Sequence, residues 1–259
     1  MIKILHRFFY AWLFLTRLPA PPLPKATKED WGRIAPYFTL IGFILGFILY
    51  FFGKVLIPYK IPFMFSALLV LLVWVLLTGG LHMDGLMDTF DGIGCQDKNR
   101  KLEAMKDSRV GAFGAMGGIF VILFKLIALC TILLNKLFFI IVISLALSRL
   151  IAVYSFTFLS KNKDSGVSSS LLLSGIKKPE DLLVNLVFLI VISFLFISFG
   201  HLKFFYFFFI LICFFLCLIW TYWLNNHFKG HTGDTFGALI ELSEVTVLSI
   251  GVILKNYLL

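Results

Sequence analysis

Three aspartates, Asp84, Asp88 and Asp91, recur within the run Gly79-Gly80-Leu81-His82-Met83-Asp84-Gly85-Leu86-Met87-Asp88-Thr89-Phe90-Asp91-Gly92. If the run is helical, the spacing i, i+4, i+7 puts all three carboxylates on one face. Such charges repel by about 4 kcal/mol per pair at ~4 Å and an effective dielectric of ~20. Amid apolar, glycine-rich sequence the seam needs a counter-charge. Hard oxygen donors without cysteines or paired histidines suit magnesium or manganese. The plainer reading is a solvated helix face with helix-capping aspartates. His82 points away from the seam on the same helix, and suits a core or headgroup-facing role as well as a catalytic one.

A second group follows in Met105-Lys106-Asp107-Ser108-Arg109-Val110-Gly111-Ala112-Phe113-Gly114. Lys106 and Arg109 beside a hydroxyl, with glycines at a helix start, suit phosphate oxygens. Taken alone they also read as the positive flank of a membrane span. No strand precedes the glycines and no Lys-Ser/Thr follows them, so neither a phosphate-binding loop nor a dinucleotide fingerprint is present. Gly114 and Gly118, like Gly42 and Gly46, read as close helix-packing sites. The third group runs from His231 to Glu244. On one helix Asp234, Gly237, Glu241 and Glu244 share a face, a second acidic seam. Acids within an apolar helix are costly and default to a functional reading. Arg149, inside another apolar run, is their obvious partner, and a purely structural Arg149–Glu pair is the competing reading.

The elements that position these groups are helices in a membrane. Of 259 residues, 60% are hydrophobic and 14% charged, and 31 are phenylalanine. An ordinary soluble domain is about 45–50% apolar and about 25% charged. With a mean hydropathy of +0.97, a core of this size could not hide so much apolar surface, so the surplus faces lipid. The net charge of +9 comes from cations that bracket apolar runs, which argues against nucleic acid as a partner. Four cysteines, three of them in apolar runs, make neither a disulfide framework nor a C-x-x-C metal pair.

Seven segments approach the roughly 20 apolar residues that cross a bilayer: 34–56, 61–81, 112–134, 137–159, 182–200, 204–224 and 238–255. The last is the weakest, because Glu241 and Glu244 lie in its first turns, and it could be re-entrant. Before them, Lys3, His6, Arg7, Tyr10 and Arg17 share one side of a helical wheel while Ile2, Leu5, Phe9 and Trp12 cover the other. That pattern predicts a helix lying in the membrane interface. The expected fold is therefore all-α: a single integral membrane domain over 1–259, with an interfacial segment 1–33 and a bundle of about seven transmembrane helices over 34–255. Six Lys/Arg precede residue 34, five lie in 82–110 and four in 160–181. The positive-inside rule puts these segments and 225–237 in the cytoplasm, so the three loops, 82–110, 160–181 and 225–237, share one face.

Together these motifs resemble the cobalamin synthase (adenosylcobinamide-GDP ribazoletransferase) family. Gly79 to Gly92 matches its G-G-L-H-x-D-G-L-x-D-T-x-D-G signature, Met105 to Gly114 its M-K-D-S-R-x-G-x-F-G block, and Thr232 to Glu244 its T-G-D-x-x-G-A-x-x-E pattern. Phe14-Leu15-Thr16-Arg17-Leu18-Pro19 also fits. Lys229-Gly230-His231 is less typical and leaves the role of His231 open. The resemblance implies an inner-membrane, multi-pass, Mg²⁺-dependent enzyme with its active site facing the cytoplasm. It joins adenosylcobinamide-GDP to α-ribazole or its 5′-phosphate and releases GMP. It further implies Asp84, Asp88, Asp91, Asp234, Glu241 and Glu244 as metal ligands. Asp88, Asp91, Lys106 and Arg109 would be catalytic, with Asp88 or Asp91 accepting the hydroxyl proton. His82, Asp107, Ser108, Arg149, Thr232 and Asp234 would bind substrate. The partners are then the two substrates, the lipid bilayer and, in a homo-oligomer, further copies of the chain. Two alternatives remain: a CDP-alcohol phosphotransferase, whose opening D-x-x-D-G is present in Asp88-Thr89-Phe90-Asp91-Gly92 without the following Ala-Arg or the distal G-x-x-x-D-x-x-x-D, and a cation transporter, which would place its acids nearer mid-span.

Overall fold

The computed structural model describes residues 2–97, 100–159, 179–200 and 205–258. Among them every regular element is helical. The chain forms α1 (Ile2–Leu15), a short α2 (Lys28–Trp31), α3 (Phe38–Leu56), α4 (Phe63–Thr78), α5 (Leu81–Gly94), a short α6 (Lys101–Met105), α7 (Ala112–Leu134) and α8 (Phe139–Phe158). It continues with α9 (Pro179–Gly200), α10 (Phe205–His227), α11 (Gly233–Ile253) and the short α12 (Lys255–Leu258).

Five of the described helices or helical stretches are long and apolar enough to cross a membrane, or six if α4 and α5 are taken as one broken span. The expected seven is not reached among the described residues. The loop 160–178 and the connection 201–204 lie outside them. The 238–255 segment belongs to one continuous helix: α11 runs from Gly233 to Ile253, is long and apolar enough to cross a membrane, and carries Asp234 in its first turn.

α8 is the central helix, buried along almost its whole length. α3 lies against it through Gly42 and Gly46. A β-carbon on Gly42 would stand 2.3 Å from the carbonyl oxygen of Leu145, and one on Gly46 2.6 Å from the Cα of Val142. Only small residues let two backbones approach so closely. Buried Asn185 of α9 clamps the start of α3, accepting from Thr39 N–H at 2.8 Å and donating to the Ala35 carbonyl at 2.9 Å.

The α4–α5 junction decides where the acidic run goes. Gly79 and Gly80 both take left-handed backbone, φ 65° and 69°, which glycine adopts without steric cost. The chain turns there by 89°. α5 therefore lies across the end of the bundle instead of continuing the span. It meets the start of α7, where Gly111 and Gly114 donate to Asp91, and the start of α11, where Gly85 abuts Asp234. The starts of α3 and α11 and the end of α8 meet at the same end, where Phe156 meets Phe38 edge-on and stacks on Phe236.

The N-terminal helix docks on the bundle through residues of its polar side. Tyr10 is buried and donates to the Pro24 carbonyl at 2.8 Å, and Arg7 pairs with Glu29 and Asp30, both at 3.2 Å. Ile2, Ile4, Leu5 and Leu13 are exposed. The polar side is the docked side because the α2 acids, held by the Thr27–Asp30 capping box, offer Arg7 partners. The apolar side is left for the membrane interface.

Candidate active site

α5 crosses α11 at glycine distance. A β-carbon on Gly85 would lie 2.8 Å from the Asp234 carbonyl oxygen, and one on Gly237 would lie 3.0 Å from the His82 carbonyl oxygen. The crossing brings the N-terminal acids of both helices together. Asp88 is half-buried, and burial with the like charges of Asp84, Asp234 and Asp91 pushes its carboxyl up to about 6. Asp84 is exposed at the front of this group, and Asp234 also feels its charge. Lys106, in the loop before α7, supplies opposing positive charge to Asp234. Asp84, Asp88 and Asp234 thus act on one another at one end of the bundle, with Lys106 opposing the charge of Asp234.

Asp91 has a different setting from its seam neighbours. Its carboxylate accepts from Gly111 N–H at 2.8 Å and Gly114 N–H at 2.7 Å, so it caps the first turn of α7. A β-carbon at either glycine would strike it, at 2.3 and 2.4 Å. Those two glycines serve the cap and do not form an open phosphate loop.

The second seam divides in the same way. About 10 Å of helix rise separates Asp234 from Glu241, which carries Glu241 and Glu244 out of the site and into the bundle. There Lys125 of α7 donates to Glu241 at 2.7 Å and also to Glu244, and Arg149 of α8 pairs with Glu244. All four side chains are 6% exposed or less. Two cations balance two anions, which is how buried charge is tolerated. This differs from the expectation that both glutamates ligate metal and that Arg149 binds substrate: cations meet both oxygens of Glu244 and one of Glu241, and Arg149 is sealed from solvent. Arg149 also donates to Ser148 Oγ at 2.9 Å, but its Nε and Nη2 have no partner among the described residues. Sequence reading missed Lys125. The signal was available, since a lone lysine near the middle of an apolar span is expensive unless a specific anion meets it.

The remaining predicted residues scatter around this centre. His82 is buried beside the α11 backbone, in the field of Arg149, Glu244 and Lys125, and does not reach the seam. Asp107, Ser108 and Arg109 are exposed in the loop before α7. There Asp107 holds Arg109 through Nε at 3.1 Å and Nη2 at 2.8 Å, and the guanidinium and backbone N–H of Arg109 bring the Asp107 carboxyl down to about 2. Thr232 is the N-cap of α11, reciprocally bonded with Thr235, which makes it the residue that starts the Asp234 helix. His231, open in the sequence, is fully buried. It stacks on Phe236 at 4.9 Å, its Nδ1 lies 3.2 Å from Thr235 Oγ1, and burial brings it down to about 4. A neutral, packed imidazole is no phosphate-binding cation.

Among the described residues no three His, Cys, Asp or Glu side chains stand close enough to hold a metal ion as a ready-made cage. The donors nonetheless fit Mg²⁺. They are hard carboxylate oxygens in mutual repulsion, and Mg²⁺ is usually held by one or two carboxylates, with water and substrate phosphates completing its octahedron.

Fold and site together define a multi-pass, all-helical membrane protein with a carboxylate-rich centre where two helix starts and a transverse helix meet. Residues 7–252 match the model of the cobalamin-5-phosphate synthase family. The adenosylcobinamide-GDP ribazoletransferase of Clostridium tetani is 33% identical, covering 98% of both chains. Its namesake from Thermosynechococcus vestitus is 31% identical over 96% of each. A third, from Desulfitobacterium hafniense, is 41% identical over 122 residues, about half of each chain. The chain belongs to the cobalamin-5-phosphate synthase family. No solved structure matches it.

Proposed function

We propose that this chain catalyses the Mg²⁺-dependent union of adenosylcobinamide-GDP with α-ribazole, or α-ribazole 5′-phosphate, releasing GMP at the cytoplasmic face of the inner membrane. The observation that carries the reading is the glycine crossing of α5 and α11, which gathers Asp84, Asp88 and Asp234 beside Lys106 at one end of the bundle. That end also receives the positively charged N-terminal segment and the 82–110 loop, in keeping with a cytoplasmic orientation.

The reaction is a substitution at phosphorus. The ribose hydroxyl oxygen of the ribazole forms a bond to the phosphorus that carries the corrinoid side chain, the bond from that phosphorus to the GMP oxygen breaks, and the hydroxyl proton is taken up by a carboxylate. Phosphoryl transfer of this kind needs positioning and charge neutralisation above all. Bound Mg²⁺ supplies neutralisation of the diphosphate. Asp84 and Asp234 would hold it, one from each side of the crossing. Asp88, half-buried in the same group and free of the backbone cap bonds that occupy Asp91, is the proton acceptor. Asp91 is the weaker choice because two backbone amides already occupy its oxygens. Lys106 faces the same diphosphate as a point charge. Arg109, tied to Asp107 on the exposed loop, would exchange that carboxylate for a non-bridging phosphate oxygen, where its planar fork can bind in bidentate fashion.

The deciding experiment is GMP release by the purified full-length protein, with each corrinoid and ribazole substrate omitted in turn and with Mg²⁺ present or chelated. Release that requires both substrates and the metal supports the reading. CMP release with a CDP-lipid, or no nucleotide product at all, would sink it.

A further inference from the structure

The buried ionic cluster of Lys125, Arg149, Glu241 and Glu244 takes no part in the chemistry above. It sits on the helix whose first turn carries Asp234. Several contacts hold α11 along its long axis, including the Arg149–Glu244 pair to α8 and the Trp220–Thr246 hydrogen bond to α10, and two others join it to the helices of the site. One is the glycine crossing with α5, where Gly85 meets the backbone of Asp234 and Gly237 meets that of His82. At these two glycines the crossing is backbone against backbone, which sets the separation of the helices. The other is Lys125, whose ammonium reaches Glu241 at 2.7 Å and also Glu244. The Lys125 ammonium also lies 4.4 Å from the centre of the Trp74 ring of α4, a favourable seat for a desolvated cation.

Lys125 stands about 20 Å along α7 from its first residue. Side chains on a helix lean toward its N-terminus, so the lysine reaches back toward the end of the bundle where Asp91 caps α7. α7 is thus joined to the site twice: to α5 through the Asp91 cap and to α11 through Lys125. We propose that Lys125 is a positioning residue for phosphate transfer. By tying Glu241 and Glu244 to α7, it fixes the depth of α11, and with it the spacing of Asp234 from Asp84 and Asp88. The proposal rests on the functional reading given above. Its consequence is that the lysine governs metal and diphosphate binding from a place neither ligand reaches, because small misplacements of catalytic groups cost rate steeply.

Loss of the lysine alone would leave a buried glutamate without its counter-charge, so Lys125→Met is expected to lower the unfolding temperature as well as activity. The informative comparison is therefore Lys125→Met/Glu241→Gln, which removes one charge of each sign and leaves Arg149 paired with Glu244. All variants are measured as purified full-length protein for thermal unfolding, kcat, KM for the diphosphate substrate, and the Mg²⁺ concentration giving half-maximal rate. The double variant is expected to recover most of the unfolding temperature yet need about tenfold more Mg²⁺ than the parent, or turn over about tenfold more slowly. Lys125→Arg, which retains a cation, should fall closer to the parent. A double variant that regains stability, rate and Mg²⁺ dependence together would overturn the proposal and leave Lys125 a charge-balancing residue only.

If the parent itself releases no GMP, the functional reading fails, and positioning is then judged from distance alone. Spin labels at Leu81→Cys on α5 and Gly233→Cys on α11, with the four native cysteines replaced, report the spacing directly. A shifted or broadened distribution in the double variant supports the positioning role, and an unchanged one overturns it.

Discussion

Gly85 and Asp234 meet so closely that a β-carbon on the glycine would stand 2.8 Å from the aspartate's carbonyl oxygen and 3.0 Å from its Cα. Nothing larger than a hydrogen fits between these backbones, and the acids of the site flank this contact on either side. Gly85→Ala should push α5 and α11 apart at a destabilisation of about 1–3 kcal/mol, the usual cost of overpacking. GMP release should fall much further than stability does, with membrane insertion intact. Full activity in an otherwise normal Gly85→Ala protein would show that the crossing does not set the geometry of the site.

Asp88→Asn keeps the size of the side chain and removes one negative charge from the α5 face. Turnover should drop severely while the protein inserts and folds as before. Raised Mg²⁺ should restore part of the rate if metal binding is the defect, and none if proton acceptance is. A Mg²⁺ titration of initial rates separates the two. Near-parental rates at limiting Mg²⁺ would take Asp88 out of the site.

Asp91 should behave differently because it caps α7 through Gly111 and Gly114. Asp91→Ala is expected to cost about 1–2 kcal/mol of stability, the usual value of a lost helix cap. Asp84→Ala, which only relieves repulsion between carboxylates, should cost little. Thermal unfolding of the two variants side by side is the check, and equal losses would contradict the capping role.

Chelation of Mg²⁺ should abolish turnover while moving the unfolding temperature little. A ligand stabilises the folded state only as far as its concentration exceeds its dissociation constant, and the acids here form no ready-made cage. A clear rise should come when Mg²⁺ and the diphosphate substrate are added together. A large rise with Mg²⁺ alone would mean that the protein completes the metal shell by itself.

Glu244→Gln leaves Lys125 and Arg149 sharing a single anion, Glu241, inside the bundle. Breaking a buried pair from one side typically costs about 3–5 kcal/mol, so the folded yield should fall sharply. Glu244→Gln combined with Arg149→Met should recover part of it. Folding yield by size-exclusion of detergent extracts would show either result.

Much of this protein was legible in its sequence. Apolar excess requires lipid as the second solvent, helical period places Asp84, Asp88 and Asp91 on one face, and the glycine pairs at 42/46 and 114/118 mark close helix contacts. These are local properties, fixed by spacing of 3 or 4 residues and by what hydrocarbon accepts. Tertiary structure decided which acids do which work. Asp91 and Asp88 look alike in sequence, yet the start of α7 saturates one with two amides and leaves the other among like charges. Asp234 and Glu241 share a helix face, yet the 89° turn at Gly79-Gly80 lays α5 across the first and leaves the second buried against Lys125. No spacing rule within one helix reports how deep a neighbouring helix lies, and the charge state and role of a carboxylate depend on that depth.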